Sequence, residues 1–335
     1  MGYRSVVLKG VGFYHPAHKV CNDEIFQHFD SIGKEVRGLM KHLCREERYF
    51  ADEGENTLTM ALESSEEAIQ KAGISPEELD MIVFVSEMPE YLIPTCSLKL
   101  NHFLGAKNAH TLMDLNQNCT GMISGLDFVS RYMQNNKKIT KALLVGSILN
   151  TGMIRPDCTI TYSGSADASV AIILEASEEE KITGFLDSAY YTDSNYHNSI
   201  TFPGCGFSNI HNSEIDLFDK KLIWNPFDFS FLADGWSKLI REMIGNQGYE
   251  VSDIDHFFFS QFSKADALNT LELLGITDID NKLTFVGDKY GYTGCTSPFI
   301  ALYDAIEKGK VSEGSLIVFI SVAAGYSMSA ALMRL

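Results

Sequence analysis

Residues 111–134, TLMDLNQNCTGMISGLDFVSRYMQ, read as a strand that turns sharply into a buried helix, with Cys119 at the turn. Met122, Leu126, Val129 and Met133 recur at helical spacing and make one apolar stripe, while Gly121, Ser124 and Gly125 leave room for a close neighbour. The helix therefore belongs in a core. Its first free N–H groups and the positive end of its dipole face the Cys119 sulfur, and both favour a thiolate over a thiol. A nucleophile is the sharper reading; a buried structural cysteine is the plainer one.

The same plan returns in the second half. EVSDIDHFFF at 250–259 echoes the turn and buried strand PEELDMIVFV at 76–85, and LELLG at 271–275 echoes NHFLG at 101–105. YTGC at 292–295 opens a helix as NCTG does at 118–121, and LIVF at 316–319 matches LLV at 143–145. Four elements recurring in one order imply a duplicated α/β unit, with two mixed sheets around buried helices and a site where the two helix-opening turns meet.

Around this frame, SVVLKGVG at 5–12 reads as an opening strand ending in a Gly-x-Gly turn. It is no dinucleotide fingerprint, because Pro16 and the polar residues beyond it do not continue into a helix with a third glycine. Residues 34–48 mix Lys34, Arg37, Lys41, Arg45 and Arg48 with Leu39, Met40 and Leu43, which predicts an amphipathic helix with a solvated charged face or, as the alternative, an anion-binding one. Thr57 to Ala72 predicts another, stopped by Gly73. The aromatic-rich, poorly patterned segment 187–232, with Tyr190, Tyr196, Phe207 and Trp224 among others, reads as a cap or tunnel lining, or as interface packing.

Composition sets further bounds. The chain has 335 residues and is 45% hydrophobic, ample for a sizeable core. A formal charge of −17 argues against nucleic acid and anionic membrane surfaces as partners. Seven cysteines without CxxC spacing suggest neither a disulfide framework nor a metal site, and a reducing cytoplasm fits them best. Residues 315–333 carry no charge, yet Gly325 and the serines at 321, 327 and 329 interrupt them. Two buried strands joined by a glycine turn explain that stretch better than a membrane span does.

GVGFYHP at 10–16, NDE at 22–24, RYFA at 48–51, DLNQNCTG at 114–121, LVGS at 144–147, KYGYT at 289–293 and AAGYS at 323–327 follow in order along this duplication. In them the chain resembles the thiolase superfamily, and within it the ketoacyl-acyl-carrier-protein synthase III group of condensing enzymes. The resemblance implies αβαβα layers with two mixed five-stranded sheets, divided at 1–175, which carries the cysteine, and 176–335, which carries the aromatic insertion. It also implies a homodimer, or a heterodimer with a homologous ketosynthase, and a phosphopantetheine tunnel. The substrate is then an acyl thioester of coenzyme A or acyl carrier protein, with no permanently bound cofactor. Cys119 matches the acyl-accepting nucleophile, and the backbone N–H groups of Cys119 and Gly325 match the oxyanion hole.

Two departures qualify this. The family's His-Gln-Ala-Asn motif is here Ser260-Gln261-Phe262-Ser263, and the asparagine of its Gly-Asn-Thr motif is Tyr292. Serine and tyrosine donate hydrogen bonds but supply no imidazole that titrates near neutrality, so ordinary decarboxylative condensation is not expected. His256 lies four residues, about 13 Å at strand rise, from Ser260 and does not substitute. Glu87 and Glu90 in SEMPE, 86–90, are alternative candidates for the base, against a solvated loop. Two functions are thus expected to compete. One is an acyltransferase that passes an acyl group from Cys119 to an unusual acceptor in specialised lipid or secondary metabolism. The other is a non-catalytic subunit that pairs with an intact homologue.

Overall fold

The computed structural model describes residues 3–335. Nine strands form its main sheet: β1 (Tyr3–Tyr14), β2 (Met81–Val85), β3 (Thr111–Leu115), β4 (Lys141–Ile148), β5 (Ala168–Glu179), β6 (Gly184–Thr192), β7 (His256–Phe259), β8 (Leu316–Ala323) and β9 (Ser327–Arg334). Their spatial order is β7-β8-β9-β6-β1-β5-β4-β2-β3. The first half contributes five strands. The second contributes four, and the place of a fifth is held by Leu283, which makes a single parallel bridge to Phe257 of β7 as β3 pairs with β2. With that substitution the halves share one strand order and the same alternation of parallel and antiparallel pairs. The two sheets expected from the sequence meet through one parallel pair, Val6 with Gly184.

Helices fill the layers between and outside the sheets. α1 (Thr57–Ala72) and α2 (Cys96–Leu104) cover one outer face, α4 (Leu232–Asn246) and α5 (Lys264–Leu274) the other, and α3 (Gly121–Asn135) and α6 (Ser297–Glu307) lie in the middle. Successive side chains of a strand point to opposite faces, so a strand buried on both sides reads as an unbroken apolar run. In β2, Met81, Val83 and Val85 enter the central core while Ile82 and Phe84 enter the outer one. β8 does the same with Ile317 and Phe319 inward and Leu316, Val318 and Ile320 outward. The uncharged run 315–333 is β8 and β9, joined at Gly325. Among the described residues no helix is long and apolar enough to cross a membrane.

Two local expectations need correction. Gly10 and Gly12 do not end the first strand, which continues to Tyr14 and skips register once, between Leu8 and Gly10. Their missing side chains admit α1 instead: a Cβ on Gly12 would lie 2.0 Å from the Ser64 carbonyl oxygen. The 34–48 segment is helical only from Arg37 to His42; the chain then reverses at Cys44 (φ 52°) and pairs Glu47–Phe50 with His18–Cys21. That reversal turns Arg45 and Arg48 inward, where both are buried.

His256 is likewise buried, its Nδ1 donating to the Asn281 carbonyl and its Nε2 held by the Thr284 hydroxyl, each at 2.9 Å. Burial pushes its pKa from 6.5 down to about 4. Between those values the unfolded chain binds a proton that the folded chain refuses, so stability is lost as the pH is lowered through that window, by about 3 kcal/mol in all. Urea midpoints measured from pH 7 to pH 4 should show this slope, and His256→Gln should flatten it.

Candidate active site

The chain leaves β3 and passes Asn118 in a left-handed conformation (φ 49°) into a short 3-10 turn, 118–120, that leads straight into α3. This sharp elbow holds Cys119 ahead of the helix. The Asn116 side chain accepts from the Asn118 N–H, and Ser321 of β8 donates to the Cys119 carbonyl at 2.9 Å. The matching turn 294–296 opens α6 and packs against the first, so the two helix openings meet.

A cavity of about 60 Å³ lies at that junction. Cys119, Glu87, Tyr292, Gly294 and Ala324 line its inner end; Arg45, Asn150 and Phe262 lie on its walls with Ile200, Leu222 and Trp224 from the aromatic segment. Tyr292 is strapped in place by its backbone. Its N–H donates to the Gly164 carbonyl, and its own carbonyl accepts from Ala166 N–H and from Asn150 Nδ2. Gly291, at φ 70°, lets this strap close, because a Cβ there would come within 2.8 Å of the Ala166 Cβ.

Glu87 leaves the end of β2 and brings its Oε1 against Gly294, 3.2 Å from where a Cβ would stand. The residue is half-buried, but that oxygen is shielded from solvent and lacks a hydrogen-bond partner. Loss of water around the carboxylate raises its pKa to about 7, against a small opposing effect of the Cys119 thiol. The Glu87 carboxyl and the Tyr292 hydroxyl are the polar neighbours that bear on the Cys119 thiol, and the three side chains line one cavity. Its pKa lies well above the usual thiol value, first because of burial and then because of the Glu87 charge, with Tyr292 pulling the other way. Burial and the neighbouring Glu87 charge thus favour the thiol, where the helix opening alone suggests a thiolate.

Of the other sequence candidates, Ser260 is fully buried, and its Oγ has no partner in hydrogen-bonding geometry; burial first, then the Cys119 and Glu87 charges, raise the Tyr292 pKa well above its ordinary value, with Ser260 opposing. Gln261 beside it is a structural brace, accepting from Val286 and Gly287 N–H and donating to the Phe259 carbonyl. Gly325 adjoins Ala324 at the cavity. Glu90 is exposed and outside the cavity. Sequence reasoning missed Asn150, and it placed Arg45 in a charged run read as solvated, with an anion-binding face as the alternative. Among the described residues no group of three or more His, Cys, Asp or Glu side chains could hold a metal ion.

The chain matches the family model of the 3-oxoacyl-[acyl-carrier-protein] synthase III C-terminal region over residues 244–335 and the 3-oxoacyl-[acyl-carrier-protein] synthase III model over 113–194, together more than half its length. It belongs to that family of condensing enzymes. The second match contains Cys119 and the first contains Ser260, Tyr292 and Gly325, while Glu87 lies outside both. The beta-ketoacyl-[acyl-carrier-protein] synthase III of Rickettsia canadensis is 27% identical over 329 residues, 97% of this chain and 98% of the relative. Among solved structures, the 3-oxoacyl-[acyl-carrier-protein] synthase III of Aquifex aeolicus superposes with a TM-score of 0.86 at 22% identity, covering 99% of this chain and all of the other. The priming β-ketosynthase of the R1128 polyketide pathway gives 0.89 at 20%, covering 100% and 98%. These two likenesses establish the thiolase-type fold. The family's chemistry is the transfer of acyl groups from thioesters, which makes this protein a transferase by class.

Proposed function

We propose that this chain is an acyl-thioester transferase in which Glu87 serves as the general base for Cys119. The carrying observation is that Glu87 and Cys119 line one cavity, the carboxylate at about pKa 7 and the thiol with its own pKa raised well above the ordinary value. A base poised near ambient pH is what an un-ionised nucleophile requires. The Cys119 proton passes to the Glu87 carboxylate as sulfur attacks the donor thioester carbonyl. The C–S bond to the donor pantetheine then breaks, and Glu87 returns the proton to the departing thiolate. In the second half-reaction the acceptor gives its proton to Glu87, attacks the acyl carbon, and releases Cys119 as a thiol. Tyr292 donates toward the sulfur and, with Ser260 behind it, shapes the inner wall; the backbone N–H groups of Cys119 and Gly325 serve the carbonyl oxygen.

Donor and acceptor follow from this reading. The donor is acyl-CoA or acyl carrier protein in the cytoplasm. With no imidazole in the cavity, the acceptor is one that needs only a proton removed, as in specialised lipid or secondary metabolism, and not one that must lose carbon dioxide. A cavity of about 60 Å³ holds a few waters and no pantetheine arm, so loading requires the segment carrying Ile200, Leu222 and Trp224 to give way. The half-exposed outer strand β3, with Tyr91, Leu92 and Ile93 exposed in the loop before α2, supports a homodimer through that edge.

The deciding experiment is intact-protein mass spectrometry after incubation with acyl-CoA donors of graded length. One acyl mass should appear on Cys119 and be absent from Cys119→Ala. If no donor leaves a mass, the transferase reading is lost and the partner-subunit reading takes its place.

A further inference from the structure

The cavity holds a cation that the reaction above does not use. Arg45 is 2% exposed and lines the same cavity as Cys119, yet among the described residues no carboxylate lies within 4.0 Å of it. Its hydrogen bonds go to peptide oxygens: Nη1 to the Leu43 carbonyl at 3.4 Å, and Nη2 to the Phe262 carbonyl at 2.9 Å and to that of Gln261. Its Nε is buried with no partner. A guanidinium has five N–H donors, so Nε–H and one Nη1–H remain without an acceptor.

The neighbourhood makes the imbalance sharper. Arg48, fully buried, stands close enough to disfavour the Arg45 charge, and it too has no carboxylate partner; its Nη2 donates to the Asn22 side-chain oxygen. Asp288 favours the Arg45 charge from beyond ion-pair distance, and among the described residues no carboxylate pairs with it directly. Burial pulls Arg45 down only to about 9, which leaves it cationic at neutral pH. Folding thus maintains an unpaired positive charge in a dry wall, an arrangement completed when an anion arrives with the ligand.

We propose that Arg45 binds a carboxylate carried by the substrate, so that this site selects an acyl group or an acceptor bearing a free acid. The proposal rests on Cys119 marking the reacting end of the cavity. Nothing in it depends on which of the two reactants carries the acid, and the two sources separate experimentally.

The test uses Cys119→Ala protein, which removes turnover, and equilibrium titration by calorimetry. The donor arm compares glutaryl-CoA with pentanoyl-CoA; the acceptor arm compares 4-hydroxybutyrate with 4-hydroxybutyramide. In at least one arm the acid should bind at least tenfold tighter than its neutral partner. Adding Arg45→Leu should abolish that ratio and Arg45→Lys should retain part of it; the lysine variant keeps the test valid should leucine unfold the chain. Preference in the donor arm assigns the acid to the acyl group, and preference in the acceptor arm alone assigns it to the acceptor. Equal binding of acid and neutral ligand in both arms overturns the proposal, as does a preference that survives in Arg45→Leu. A wild-type protein that takes no acyl mass on Cys119 but keeps an Arg45-dependent preference would defeat the transfer reaction and leave this inference standing.

Discussion

Replacing Glu87 by glutamine should lower the rate of Cys119 acylation by at least a hundredfold, the usual scale for losing a positioned general base. The pH profile carries the argument. Glu87 works as its carboxylate, so below about pH 7 the wild-type rate should fall tenfold per unit, and above that it should level off. Glutamine keeps the size and polarity of the side chain but cannot take a proton, so the break near pH 7 should vanish with the rate. Were the thiol to ionise unaided, the wild-type rate would climb without a break past pH 9, because burial holds the Cys119 pKa above the ordinary thiol value. Stopped-flow loading from acyl-CoA between pH 5 and 10 separates the two, and an unbroken climb would remove Glu87 from the reaction.

A large loss of stability should come from Gly12→Ala. A methyl group there would stand 2.0 Å from the Ser64 carbonyl oxygen and 2.5 Å from the Ala68 amide nitrogen, both backbone atoms of α1. No rotamer relieves such a clash, so β1 and α1 must separate in the outer layer that both halves of the fold repeat. Overpacking of this kind costs about 3 kcal/mol, at the upper end of what single core insertions do. Gly245→Ala is the control: it lies in α4 with nothing within 4 Å of the added atom, and alanine favours a helix over glycine by about 0.5–1 kcal/mol. Urea midpoints should therefore move in opposite directions for the two variants. A Gly12→Ala protein as stable as wild type would mean that α1 is not seated where the structure puts it.

How much of this was legible beforehand depended on whether a residue's neighbours lie close in sequence. α1 was readable to its last residue because Gly73 stops it and its apolar face repeats, and β2 and β8 were readable as unbroken apolar runs. The elbow at Cys119 and its echo at 292–295 carried the duplication. What stayed hidden was set by contacts across the fold. Glu87 was a candidate base in the sequence, but its meeting with Cys119, 32 positions later, comes only from the pairing of β2 with β3. Arg45 and Arg48 sat in a run that looked solvated, and only the reversal at Cys44 buries them. The direction of the Cys119 shift could not be read from a helix opening alone, since local dipoles favour the anion and the surrounding burial, invisible in sequence, disfavours it more.

The two halves repeat one strand order, but their chemistry is lopsided: Glu87 and Cys119 both belong to the first copy, while the second supplies Tyr292 and Ser260 as a wall. After an ancestral gene doubled, the working groups need not have stayed shared between the twins. Once proton handling and nucleophile reside in a single twin, the other is free to drift, and its loops become the natural ground on which new substrate preferences arise.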